Sequence, residues 1–307
     1  MVRQNTSGDE AAAPTDDGVG ASSGSGRVAD ADPEDRAEDE GRPSIEVDGI
    51  DVEGPSVDPR EAPMEYVESV TELAVVDVVA AGDRVGDLLT VAREFDDDVR
   101  TAAGEALNLV GLLRPVEFDV WVEDVRAAAE ADDEELAFLG LRALAQLAGE
   151  RPQAAAAGLD VALGNLSAPR PDLRKAALSI VAEVGAVAPE RVRRADRDVV
   201  EALGAPAAEV RLAGAIAAAK LLGADPAAFP RTASALFDAL DDDDPGVREY
   251  AHTGLVHFAL EHPEQVPEKR RAISVLADVT DADVGLREGA TKEALTSLLA
   301  LDPEYDL

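Results

Sequence analysis

Cysteine is absent, which excludes disulfides, thiolate metal sites and cysteine nucleophiles and leaves no sign of an oxidising compartment. Lysine is scarce, confined to Lys175, Lys220, Lys269 and Lys292, aromatics make up 3%, and the histidines are His252, His257 and His262. Long apolar runs are missing as well. The stretch LAVVDVVAA is short and broken by Asp77, and MVRQNTSGDEAAAPTDDG lacks the apolar core of a secretory leader, so a soluble cytoplasmic protein with no membrane partner is expected. Cations are a minority: 28 Lys and Arg face 64 Asp and Glu, a formal net charge of -36 over 307 residues. With 46% hydrophobic residues the chain still holds enough apolar side chains for one or two domain-sized cores.

This balance of many acids, few lysines and abundant Ala and Val resembles the proteins of halophiles that keep molar salt in the cytoplasm. At roughly 1 M salt the Debye length falls to about 3 Å, so dense like charge costs little and acidic side chains keep the surface hydrated. The acidity then reports the solvent more than a partner. An acidic protein matched to a basic substrate is the alternative.

Residues 1–62 carry 17 acids and 5 bases, a difference of 12, with almost no aliphatic periodicity. Such a segment buries too little apolar surface to offset the entropy of ordering, so a disordered acidic tail over 1–62 and a folded domain over 63–307 are expected. Within the tail, SIEVDGIDVEG at 44–54 alternates Ile45, Val47, Ile50 and Val52 around Asp48-Gly49. Two readings stand: a linker, or a short hairpin or linear motif that needs a surface to dock on.

From about Tyr66 the pattern turns helical and repeats. Val99 in DDDVRTAAGEALNLVG has counterparts at Leu136, Leu173, Val210, Val247 and Leu286, with steps of 37 four times and then 39 (136−99, 173−136, 210−173, 247−210, 286−247). Four residues past each anchor lie small residues: Ala103, Gly140, Ala177, Gly214, Ala251 and Ala290. Eight past come Leu107, Leu144, Val181, Ala218, Leu255 and Ala294, and eleven past, in the first five copies, Val110, Leu147, Val184, Leu221 and Phe258. Spacing of this kind draws one apolar stripe along a helix.

An upstream helix has its own columns at Leu88, Val125, Ala162, Val199 and Leu236, and at Ala92, Ala129, Leu166, Leu203 and Leu240. Each repeat is therefore a pair of helices. The turns between them are acidic or hold proline (FDDD, ADDEE, SAPRPD, DDDDPG, DADVG), which suits helix capping and the positive end of the helix dipole.

Paired helices of this length, an acid-rich turn, and Val or Leu followed by Arg100, Arg174, Arg211, Arg248 or Arg287 resemble HEAT repeats, notably the short HEAT-like class first associated with phycobilisome lyases. The second copy departs from the pattern with Ala137 in place of Arg. The resemblance covers about residues 66–300. It implies an all-α, right-handed α-solenoid of about six armadillo-like helical repeats, with the second helix of each pair on the concave face and a capping helix near Met64 to Ala80.

Catalytic readings find little support. His252, His257 and His262 are spaced by five and point about 140° apart on a helix, whereas two ligands from one helix want a spacing of four. A calcium loop starting at Asp241 would place Pro245 fifth and His252 twelfth, where a bidentate Glu is needed. Within the resembled family, the deoxyhypusine hydroxylases use His-Glu dipeptides, of which this chain has none, and the lyases leave no motif here. The one GxSxG pattern, GASSG at 20–24, falls in the acidic tail without the strand and helix that a nucleophile elbow needs. No catalytic residue, metal or cofactor is expected.

A nucleic-acid reading would need the Arg column as a basic stripe, as in the HEAT-like alkylpurine glycosylases. Acids adjoin nearly every copy, so a structural ladder of Arg on turn carboxylates is expected instead. Phe138, Leu141, Leu178, Leu212 and Ile216 fall between the core columns. They either pack tightly between repeats or form an apolar strip for a partner protein, flanked by Lys175, Glu249, His252 and His257. The expected function is a monomeric, non-catalytic scaffold for another protein. The alternatives are an enzyme-associated maturation factor and nucleic-acid binding through the Arg column.

Overall fold

A computed structural model describes residues 54–95, 97–281 and 288–302. Most of the expected 1–62 tail, including SIEVDGIDVEG up to residue 53, lies outside these, as do Leu286 and Arg287. The last residues before the array do make contacts: Val57 packs against the core, and the Arg60 guanidinium donates to both Glu94 oxygens at 3.1 and 3.0 Å.

The chain opens with α1 (Pro63–Val76), α2 (Val78–Gly82) and α3 (Val85–Glu94), followed by the long α4 (Asp97–Leu113). After the turn Pro115–Trp121 come α5 (Val122–Ala129) and α6 (Glu134–Glu150). The third copy has α7 (Pro152–Ala155), α8 (Leu159–Asn165) and α9 (Pro171–Val187), and the fourth α10 (Pro189–Val192), α11 (Asp196–Leu203) and α12 (Ala208–Ala224). α13 (Pro230–Ala239), α14 (Pro245–Glu261), α15 (Lys269–Asp281) and α16 (Glu288–Leu301) complete it. Among the described residues there is no strand.

The long helices α4, α6, α9, α12 and α14 are each 17 residues, and proline explains the constancy. Pro115, Pro152, Pro189, Pro226 and Pro263 recur every 37 residues, each two places beyond a long helix. A proline keeps the residue before it out of the α region, and Arg114, Arg151, Ala188, Asp225 and His262 all have extended or bridging backbone, with φ between -134° and -158°. The proline then starts a short lead-in turn. Each repeat is thus the expected helix pair with a helical turn before it.

Each shorter helix packs on the long helix that follows, and α4, α6, α9, α12, α14 and α16 stack side by side in that order. This is an α-solenoid whose single continuous core is drawn from the periodic columns. Leu107, Leu144, Val181, Ala218 and Leu255 are buried, as are Val110, Leu147, Val184, Leu221 and Phe258, together with Leu88, Val125, Ala162, Val199 and Leu236 from the shorter helices.

The small column works as a close contact. A Cβ on Gly140 would lie 2.7 Å from Ala129 Cα and from the Val125 carbonyl, and one on Gly214 would meet Leu203 N at 3.0 Å. Capping acids are seen in two turns: Asp133 accepts from Leu136 N at 2.9 Å, and Asp244 from Gly246 N and Val247 N at 2.9 and 3.1 Å.

Two expected surface residues are corrected by the packing. Leu141 and Leu178 are 0% and 1% exposed and belong to the core. They lie five residues past their anchors, about 140° around the helix. That direction faces a lateral neighbour in the stack, so they are covered by the array itself and cannot meet a partner.

Candidate functional site

Three sides of each stacked helix are covered, one by its paired helix and two by lateral neighbours. What stays open is an arc holding the residues two, six and ten places past each anchor. The first row reads Thr101, Phe138, Lys175, Leu212, Glu249; the second Glu105, Arg142, Ser179, Ile216, Thr253; the third Leu109, Gln146, Glu183, Lys220, His257. Phe138, Leu212, Ile216 and Lys175 are half-buried and Glu249 and His257 exposed, whereas His252, expected on this face, lies five residues past Val247 in the column that faces a lateral neighbour and is half-buried there.

Contacts between successive copies tie these rows together. Arg142 donates to the Gly104 carbonyl at 2.5 Å, Gln146 Nε2 to Asn108 Oδ1 at 3.1 Å, and Lys220 Nζ pairs with Glu183 at 2.5 Å. His252 and His257 gather no metal set: among the described residues no three His, Asp or Glu side chains converge on an ion-sized site. His262 lies off this face, with Nε2 3.3 Å from the Gly223 carbonyl.

Phe138 is the centre of the face. The Arg142 guanidinium lies 5.2 Å from its ring centroid and that of Arg170 5.4 Å, within cation–π range. Phe138 and Arg142 form the partition between two grooves. One, about 520 Å³, lies between α4 and α6 and includes Arg100, Glu105 and Glu135. The other, about 340 Å³, lies between α6 and α9 and includes Ala145, Asp172, Lys175, Ala176 and Ser179. Burial lowers the pKa of Arg142, an effect that the Glu105 carboxylate opposes. The hydrogen bonds that Arg170 donates to the Asp172 and Glu135 carboxylates raise its own pKa.

The Arg column lies at the turns, where its common partner is backbone. Arg100 donates to the Ala92 carbonyl and Arg174 to that of Leu166, each at the end of the shorter helix before it, while Arg211 donates to the Ala205 and Pro206 carbonyls and Arg248 to those of Asp242 and Asp243, in the turn beyond that helix. Among the described residues, two also reach the next repeat. Arg100 meets Asp133 at 3.0 Å, and Arg211 forks onto Asp242 at 2.7 and 2.9 Å, holding that carboxyl below its ordinary pKa. Arg174 has no such bridge because the following turn, GAPAAE, offers no aspartate. Where copy two carries Ala137, Arg170 joins the turns instead, bonding Glu135 at 2.8 Å and Asp172 at 3.0 and 2.6 Å.

Arg142 and Arg170 were not singled out by the sequence. Arg142 sits in a column of mixed chemistry, and Arg170 stands outside the Arg column; only a comparison of open-arc positions would have drawn attention to the first.

No protein-family model matches this chain, and no curated protein is similar to it in sequence. Solved structures are similar in shape. A designed armadillo repeat protein is 17% identical with a TM-score of 0.60, the match covering 70% of this chain and 99% of that one. An engineered protein is 19% identical with a TM-score of 0.62, covering 79% and 66%. A further designed armadillo repeat protein, solved in complex with the peptide (KR)4, is 16% identical with a TM-score of 0.58, covering 70% and 99%. The fold is a helical-repeat solenoid. At these identities the likeness concerns the fold alone. Among the described residues, no helix is long and apolar enough to cross a membrane.

Proposed function

We propose that this chain is a non-catalytic scaffold that holds an extended segment of a partner protein on the open arc of its stacked helices. The observation that carries this is the half-buried series Phe138, Leu212 and Ile216 on the same arc as Glu249 and His257, with Phe138 between two adjoining grooves and Lys175 on the wall of one of them. Apolar side chains on the one arc that the array does not cover, next to charged neighbours, make a surface fit for a polypeptide with alternating character. A designed protein of the same fold was solved with a peptide, which lends the reading a precedent by fold analogy. Catalysis has no comparable support. The Arg column already serves helix ends and turn acids, so it offers no free stripe for phosphates.

The finer parts of this proposal are a HEAT-like repeat type, a monomer working in the cytoplasm at high salt, and a folded domain that starts near residue 63. The test is crosslinking in molar salt from a benzophenone residue replacing Ser179 in the 340 Å³ groove, compared with one replacing Glu123 on α5. One partner should be captured from Ser179 alone, and Phe138→Asp or Leu212→Asp should abolish the capture without changing helicity. Equal capture from both faces, or capture indifferent to both substitutions, contradicts the proposal.

A further inference from the structure

The open arc holds the cations Arg142, Lys175 and Lys220, with Arg100 and Arg170 at the turns beside it, and three of these five are matched. Arg100 meets Asp133, Arg170 meets Glu135 and Asp172, and Lys220 meets Glu183. Two cations on the walls of the groove between α6 and α9 differ. Among the described residues, Arg142 donates to the neutral Gly104 carbonyl and has no carboxylate within ion-pair distance, and Lys175 has none either. The Asp172 carboxyl in the same groove is held by the Arg170 fork.

Glu105 acts on Arg142 only from beyond ion-pair distance, in the adjoining groove, and with 64 acids to 28 bases two neighbouring groove cations without a paired carboxylate run against the composition of the whole chain. Their surroundings also suit an acidic side chain. Ala145, Ala176 and the Phe138 ring give an apolar wall for a short aliphatic stem, and Ser179 adds a hydroxyl at the rim.

We infer that the groove between α6 and α9 takes an aspartate or glutamate side chain of the bound segment, its carboxylate set between Arg142 and Lys175 and its stem against Phe138. This rests on the scaffold reading and names the chemistry of the partner: an extended, acidic and apolar peptide. Charge-assisted hydrogen bonds from a guanidinium and an ammonium are short-range, so they persist in salt that screens the repulsion between two acidic proteins. A basic segment such as (KR)4 would place like charge against both wall cations.

Dye-labelled octapeptides of alternating Asp-Leu, Asn-Leu and Lys-Leu serve as probes, titrated with the full chain in about 1 M KCl, where the Debye length is about 3 Å. The Asp-Leu peptide should bind roughly tenfold tighter than Asn-Leu, the size of one charge-assisted contact. That preference should vanish in Arg142→Gln and in Lys175→Gln, and Lys175→Glu should turn it toward Lys-Leu. Lys175 is partly exposed, so its variants keep the test valid if Arg142→Gln melts early. Equal binding of Asp-Leu and Asn-Leu, tighter binding of Lys-Leu, or a preference unchanged in both Lys175 variants overturns the inference. In each case the scaffold reading still stands on capture from Ser179. Failure of all three peptides to bind also overturns the inference, and the absence of Ser179 capture besides would remove the scaffold reading too.

Discussion

Single atoms decide the spacing of the helix pairs. Gly140 presses on the backbone of Ala129 and Val125, and backbone cannot rotate aside as a side chain can. Gly140→Ala is therefore expected to destabilise by about 1–3 kcal/mol, the range for overpacking a fitted core. Gly149 lies in the same helix, and a Cβ added there would meet nothing within 4 Å. Gly149→Ala should stabilise by about 0.4–1 kcal/mol, because alanine favours the helix and costs no space. Urea unfolding of the pair checks this, and equal effects of the two would mean that Gly140 is not a contact point.

At the scale of the element, the acid-rich turns act through their backbone. Asp244 caps α14 with two N–H bonds, so Asp244→Ala should cost about 1 kcal/mol, read as a fall of about 3 °C in melting temperature. The turn acids also set the pH response. Asp133 has a lowered pKa, first through its bond from Leu136 N; Asp172 through the Arg170 fork; Asp242 through the Arg211 fork. A carboxyl whose folded pKa lies below its unfolded value contributes stability above the unfolded value, near 3.8, and loses it as the pH falls through the folded one. Acid unfolding should therefore set in below about pH 4. Asp242→Asn should lower stability at neutral pH and flatten that acid limb; denaturation midpoints measured from pH 7 to 2 give the comparison, and an unchanged limb would mean that the fork adds nothing.

For the whole molecule, the governing quantity is the formal net charge of -36. An array held by nearest-neighbour interfaces has no remote contacts to resist the mutual repulsion of acids along its length. At about 0.01 M salt the Debye length is about 30 Å, long enough for charges several repeats apart to act together. Dilution from molar to low salt should reduce helicity and lower the melting temperature. Superimposable melting curves at the two salt levels would show that the acids are not a destabilising load.

The sequence by itself determined the repeat, the helix pair and the core. The 37-residue register fixed which positions meet a paired helix, because burial at that contact follows the helical period, and every column named from it that lies in the shorter and long helices of copies one to five supplies core residues such as Leu144 and Phe258. It also carried the proline column at Pro115 to Pro263, a legible signal that explains where the long helices end. Tertiary structure alone decided which of the remaining positions are open. Leu141 and Phe138 look alike in the sequence, yet one is sealed and the other half-exposed, because lateral neighbours a full repeat away cover the flank at five residues and leave the arc at two. It decided the fate of the cations as well. Arg142 and Lys175 have no carboxylate within ion-pair distance among the described residues although acids abound, since an ion pair depends on which side chains meet across adjacent repeats, and a one-dimensional pattern does not contain that distance.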